Sequence, residues 1–394
     1  MDYNSLASQL DAAVDRRLAE AIALSDALAA DPEISSLEVR GSRAHVEFLR
    51  NAGFSVEHPF FGIPTAYNAS VYAGPGAKVA LLAEYDALPE IGHACGHNVH
   101  GAMSLLAGAA LASILPEVGG ELWVTGTPAE ETNGAKIAMS ASGLFDDRDL
   151  ALMIHSGGGM SYVRYRCLAM DSYEFRFKGR TAHAAASPWE GRNALNGVQL
   201  FFHSLDMLRQ HVRPDVRLHG IITQGGAACN IVPEAAAARF YFRAGRRAYL
   251  ETVMRKVFDS ARGCALATDT EVEWTNFEAS FDEMRPNDAA EAMMEDVYRE
   301  VGEPFDQSPG PQGSSDVGNV SMRCPAVQPT LSIIDKPFSW HTREFAQSVT
   351  GPLAHRAIAA GARILARAAL RAFTDPDLRA RMRADFEAEK SRHD

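Results

Sequence analysis

The sequence predicts an α/β protein: a mostly parallel sheet covered by helices and interrupted by an inserted α+β domain. Three observations carry this. The runs KVALLAEYD, GELWVTGTPAEE and DLALMIHSG are short and nearly continuously apolar, as strands buried on both faces are. Stretches of helical period alternate with them, the pattern of a parallel sheet with crossover helices. From about residue 170 the order becomes strand, helix, strand, strand, helix, strand over roughly 110 residues, the size of a small domain, before the alternation resumes near 285.

In chain order, residues 5–30 and 41–52 read as amphipathic helices, and the three apolar strands follow with helical stretches at 99–115 and 133–142 between them. The insert begins with the strand SYEFRFKG and a helix through GRNALNGVQLFFHSLDMLRQHV. RLHGIITQGG, AAARFYFRAG, a helix through RAYLETVMRKVFDSARGCALA and the strand TEVEWTNFEAS complete it. That order is ferredoxin-like. A long helix spans 350–372. The expected division is 1–169 plus 283–394 for the α/β domain and 170–282 for the insert.

A chain of 394 residues, 46% of them hydrophobic, has ample core for two domains. Its formal charge of −12 argues against nucleic acid, whose phosphates repel it, and the Arg-rich stretch RARMRADFEAEKSRHD is mixed with acids and reads as a solvated helix. MDYNSLASQLDAAVDRRLAE lacks the apolar segment of a signal peptide, and SLLAGAALASIL is too short to span a bilayer, so a soluble cytoplasmic protein with no membrane partner is expected. Five irregularly spaced cysteines fit a reducing compartment, with Cys167, Cys229, Cys264 and Cys324 read as free buried thiols.

The three apolar strands all end in ionisable groups: Glu84 and Asp86, Glu130 and Glu131, and His155. The C-terminal edge is where open α/β sheets place their sites. Directly after the first strand, AEYDALPEIGHACGHNVHG (83–101) gathers three acids, three histidines and a cysteine. Cys95 and His97 alternate and can face one side of an extended loop, with Asn98 capping the helix beyond. Thiolate, imidazole and carboxylate together form a transition-metal ligand set; calcium would take oxygen alone. His93 and His100 read equally well as packed core residues. In the Glu130–Glu131 pair, one carboxylate can ligate while its neighbour takes a proton, the division of roles that metal-assisted hydrolysis needs.

AEYDALPEIGHACGHN, PAEET, FKGRTAHAAASPWEGRNAL, NIVPE and GSSDVGNVS together resemble the di-metal aminoacylase and carboxypeptidase G family of clan MH, in the branch of p-aminobenzoyl-glutamate hydrolase and β-alanyl-lysine dipeptidase-like proteins. The resemblance runs from about residue 15 to 370. It implies a catalytic domain holding two divalent ions, zinc first, with manganese or cobalt as alternatives. Cys95 matches a bridging ligand, His97 and His155 the ligands of one metal, Glu131 and His341 those of the other, and Glu130 the general base. Asp86 matches a carboxylate behind a metal-binding histidine; Glu84 stands two residues ahead of it where relatives carry histidine. His355 falls inside a helical pattern and reads as structural. The insert is implied to dimerise and to act as a lid. His183 would stabilise the oxyanion in the partner subunit's site, and Asn230 and Arg243 would contact the substrate's carboxylate side, although a strand-end salt bridge serves Arg243 nearly as well. The implied reaction is hydrolysis of an amide or peptide bond in a small N-acyl amino acid or dipeptide. Two other readings are a metal-free binding protein on the same fold, which a missing base or ligand would favour, and a purely structural dimerisation protein.

Overall fold

The computed structural model describes residues 2–393. Its strands are β1 (Ser55–Glu57), β2 (Tyr67–Tyr72), β3 (Lys78–Ala83), β4 (Glu121–Gly126), β5 (Leu150–Leu152), β6 (His155–Gly157), β7 (Ala169–Lys178), β8 (Arg217–Gln224), β9 (Ala235–Ala244), β10 (Glu271–Phe281), β11 (Ala326–Val327) and β12 (Thr330–Ser332). The chain divides into two compact units. One comprises Met1–Arg166, Met284–Gln312 and Asp316–Asp394, and the other Cys167–Glu283 and Gly313–Ser315.

The first unit is built on a six-stranded sheet of order β1-β2-β4-β3-β5-β11. β4, β3, β5 and β11 run parallel, while β2 pairs antiparallel with β4 and β1. β3 is buried along nearly its whole length, as a strand covered on both faces must be. The run DLALMIHSG, expected as one strand, forms two. β5 stays beside β3, whereas β6 pairs with β12, because the chain remains hydrogen-bonded to the 325–332 segment as both leave the main sheet. His155 therefore starts a separate two-stranded ladder.

The helix His97–Val118 packs between Tyr3–Ala30 and Pro352–Thr374 and is buried nearly all round. By length and composition it could cross a membrane, but 78% of its apolar window is buried inside the protein. Asn98 does not cap it. The helix starts at His97, and Gly96 holds the cap position at φ +81, where a Cβ would lie 2.6 Å from Ser156 Cβ. The Asn98 amide instead donates to Ser25 O and Oγ. The C-terminal helix Pro376–His393 is not wholly solvated: Leu378, Met382 and Phe386, four apart, bury one stripe. All five cysteines are free, and Cys229 is exposed rather than buried, since it lies in the open loop after β8.

The second unit is a four-stranded antiparallel sheet of order β10-β7-β9-β8 with the helices Ala194–Leu208 and Arg247–Ala267, the ferredoxin-like arrangement. Phe175, Phe177, Phe201, Phe240 and Phe242 fill the space between sheet and helices. Asn193 Oδ1 accepts from the amides of Leu195 and Asn196 and so starts the first helix where the Gly-rich turn ends. β8 is an edge strand that leaves Ile221 and Ile222 exposed.

Candidate active site and metal centre

The parallel strands deliver their polar groups at one end. Glu84 and Asp86 follow β3 and Glu130 and Glu131 follow β4; the first three are buried and Glu131 is partly buried. Cys95 and His97 come from the turn and first residue of the His97–Val118 helix, His155 from the start of β6, and His341 from a turn at φ +62.

Hydrogen bonds fix which face each imidazole presents. His97 Nδ1 lies 2.8 Å from Asp86 Oδ1, so the ring donates there, and Nε2 turns to Glu84 Oε2 (3.6 Å), Glu131 Oε1 (3.7 Å) and Glu130 Oε2 (3.9 Å). His155 Nδ1 donates to Ser156 O at 3.0 Å, leaving Nε2 toward Cys95 Sγ at 3.5 Å. Both are arranged as metal-ligating histidines are, with Nδ1 anchored and Nε2 turned into the cluster of cysteine and carboxylates. His100 differs. Its Nε2 donates to Glu84 Oε2 at 2.8 Å and its Nδ1 accepts the Ser156 amide at 3.2 Å, so both nitrogens are engaged, and burial lowers its pKa to about 3. His93, the other histidine read two ways, is buried.

The carboxylates are held apart by environment. Against the cost of burial, Lys136 Nζ at 2.6 Å and then His100 hold Glu84 well below the usual carboxylate range. Lys136 also donates to Asp316 Oδ1 at 2.6 Å, and the three side chains form a fully buried ion triad. Asp316 is pushed up to about 6 by burial, with Lys136 pulling the other way and the Glu84 charge adding to the rise. Burial first, then the charges of Glu84, Glu131 and Asp316, push Glu130 well above the ordinary range. Burial likewise raises the Cys95 thiol, with Glu131 adding to the effect.

Potential ligand atoms fall into overlapping sets whose members lie within 4.8 Å of one another: Cys95, Glu131 and His341; His97, Glu130 and Glu131; Glu84, His97, His100 and His155; and Glu84, Glu130 and Asp316. His97 Nε2 and Glu131 Oε1 are buried, face each other, and have no hydrogen-bond partner. A divalent cation fits this donor set, because it satisfies both atoms and offsets the clustered negative charge. His341 Nε2 is 3.4 Å from Glu131 Oε2 with its side chain 53% exposed. His355 is apart from these groups and pairs with Asp26 at 2.9 Å.

Three further residues singled out in the sequence belong to the second unit. His183 bridges to Ile231, its Nδ1 accepts the amides of Ala185 and Ala186, and Asn230 O accepts the neighbouring Ala184 amide, so His183 and Asn230 share one exposed corner. Arg243 lies on β9 with its guanidinium over the Tyr241 ring. Sequence reasoning missed Lys136 and the polar roles of Asp316 and Ser156. A lysine inside the apolar stretch GAKIAMS was the one available signal.

The sequence profile of peptidase family M20/M25/M40 matches residues 80–371, which span the whole constellation. The chain belongs to this family. As an M20/M25/M40 peptidase it is a hydrolytic enzyme, and its relatives include a Xaa-Arg dipeptidase of Mus musculus, 35% identical over 92% of this chain and 88% of the relative. A p-aminobenzoyl-glutamate hydrolase polypeptide of Escherichia coli K12 is 34% identical over 65% of this chain and 57% of its own length. Among solved structures, an aminobenzoyl-glutamate utilization protein of Klebsiella pneumoniae superimposes with a TM-score of 0.71 at 20% identity, over 92% of this M20/M25/M40 chain and 98% of the other. A dinuclear metal binding peptidase of the M20 family from Bacillus subtilis gives 0.70 at 17%, over 92% and 99%. At these identities the structural matches speak for the fold.

Proposed function

We propose that this peptidase uses two divalent metal ions, zinc first, to hydrolyse the amide bond of a small N-acyl amino acid or dipeptide. The observation that carries the reading is the pair of orphaned, buried ligand atoms, His97 Nε2 and Glu131 Oε1, within a set of carboxylates that a cation would unite. Cys95, His97, His155, Glu131 and His341 are the residues that would hold these ions. Bound there, such ions would lower the pKa of water toward neutrality and polarise the scissile carbonyl.

The chain's own groups move the protons. Glu130, buried and raised above the ordinary carboxylate range, takes a proton from the attacking water and returns it to the departing amine, without which an amide does not cleave. Asp86 orients His97 from behind. His183 donates to the oxyanion, and Asn230 and Arg243 bind the carboxylate side of the substrate. The names of the relatives, a Xaa-Arg dipeptidase and a p-aminobenzoyl-glutamate hydrolase, support the substrate class.

The insert serves as lid and dimerisation module of a cytoplasmic homodimer. Its exposed edge strand β8, with Ile221 and Ile222 open to solvent, supports pairing with a second copy. If His183 acts across that interface, mixing inactive His183→Ala and Glu130→Gln subunits restores activity in one site of each heterodimer; subunit exchange with no recovery refutes action in trans. Substrate class is tested by amine release from a panel of aryl-amides of glutamate, N-acyl amino acids and dipeptides in the presence of zinc, manganese or cobalt. Cleavage of at least one group is expected. Ligand binding without turnover across the panel would instead mark a binding protein.

A further inference from the structure

Glu38 stands at the entry to the helix Val39–Asn51 and is fully buried. Its Oε1 accepts the amide of Ser36 at 2.8 Å and that of Ala129, 91 residues away, at 2.9 Å. Ala129 has φ +62, a conformation that residues bearing a Cβ rarely adopt. It immediately precedes Glu130. On the far side of the pair, the Glu131 amide donates to Asp86 Oδ2 at 3.1 Å, while Ala129 O accepts from Gly134 at 2.7 Å and Thr132 at 3.2 Å. The turn is thus gripped by one buried acid before the glutamates and another within them. Out of this turn Glu130 joins Glu84 and Asp316, Glu131 joins Cys95 and His341, and the two share His97.

We propose that Glu38 is a positioning residue for the glutamate pair: its carboxyl group holds the Ala129 amide in the left-handed conformation from which Glu130 reaches Glu84 and Asp316 and Glu131 reaches Cys95 and His341. The inference rests on the assignment of Glu130 as base and Glu131 as ligand. Glu38 touches neither carboxylate and acts only through the backbone. An acceptor with two lone pairs is what the site requires, and Gln supplies one through its amide oxygen.

The test uses the metal-loaded enzyme. Glu38→Ala should lower kcat roughly a hundred-fold, the scale of an ångström-sized misplacement of a reacting group, with KM little changed. It should also weaken metal retention against a chelator and speed hydrogen exchange at the Ala129 amide. Glu38→Gln should restore kcat and slow exchange. Adding Ala129→Gly to Glu38→Ala should recover part of kcat, because glycine adopts positive φ without steric cost. A Glu38→Ala protein that melts earlier but keeps wild-type kcat and Ala129 exchange overturns the proposal. Fast exchange of Ala129 in the wild type does the same, and this readout remains if Glu38→Ala does not fold. Glu130→Gln is the companion variant. If it retains turnover, the base assignment fails while exchange at Ala129 still decides the clamp. If it is inactive and Glu38→Ala turns over normally, the clamp alone fails.

Discussion

His97 and Asp86 meet at 2.8 Å between Nδ1 and Oδ1 with both side chains fully buried, and that contact sets the imidazole face that the site uses. Against the cost of burial, the Asp86 carboxylate, with Cys95 adding to it, raises His97 well above the usual histidine range. A proton or a metal ion on Nε2 then answers the three carboxylates facing it. Asp86→Asn removes the charge and loosens the tautomer, and metal affinity measured by chelator competition should fall by about 10- to 100-fold, as for other groups that orient a ligand. Unchanged affinity would show that His97 is held by other contacts.

The adjacent glutamates should separate cleanly. Glu130→Gln should keep its metal and bind substrate while losing most turnover, because only proton transfer is removed. Glu131→Gln should lose metal. Metal analysis beside single-turnover rates distinguishes them, and the reverse pattern would exchange the two assignments.

Glu38 gives a pH signature. Burial, with Asp86 adding to it, raises its carboxyl from 4.5 to about 7, so between those values the native protein holds a proton that the unfolded chain has released. Stability is therefore lost as pH rises through that window, by up to about 3 kcal/mol above pH 7. Glu38→Gln carries no such penalty. Its stability relative to wild type should be near parity at pH 4.5 and greatest above pH 7. Urea unfolding at pH 5 and pH 8 checks this, and a difference independent of pH refutes it.

Much of the site was legible because β3 and β4 are apolar runs that end abruptly in acids, which fixes Glu84, Asp86, Glu130 and Glu131 at the sheet's edge without knowledge of the fold. Lys136 was not legible. It lies in a helix, where lysine is normally solvated, and its burial depends on Asp316, 180 residues further along the chain. Glu38 was hidden for the same reason, since its partner Ala129 is a backbone amide that no side-chain pattern marks. The break before His155 likewise arises from pairing of β6 with β12, a contact between distant segments that an apolar run read alone presents as one continuous strand.

The central claim, that Cys95, His97, Glu131, His155 and His341 hold divalent ions on which hydrolysis depends, is tested most directly by metal counting tied to turnover. Purified protein is stripped with a chelator, titrated with zinc, manganese or cobalt, and followed for bound metal and amine release on one cleaved amide. The account predicts that turnover vanishes on stripping and returns as occupancy approaches two ions per chain, and that Cys95→Ser lowers occupancy because a hydroxyl bridges poorly compared with a thiolate. Undiminished hydrolysis by the metal-free protein would contradict it.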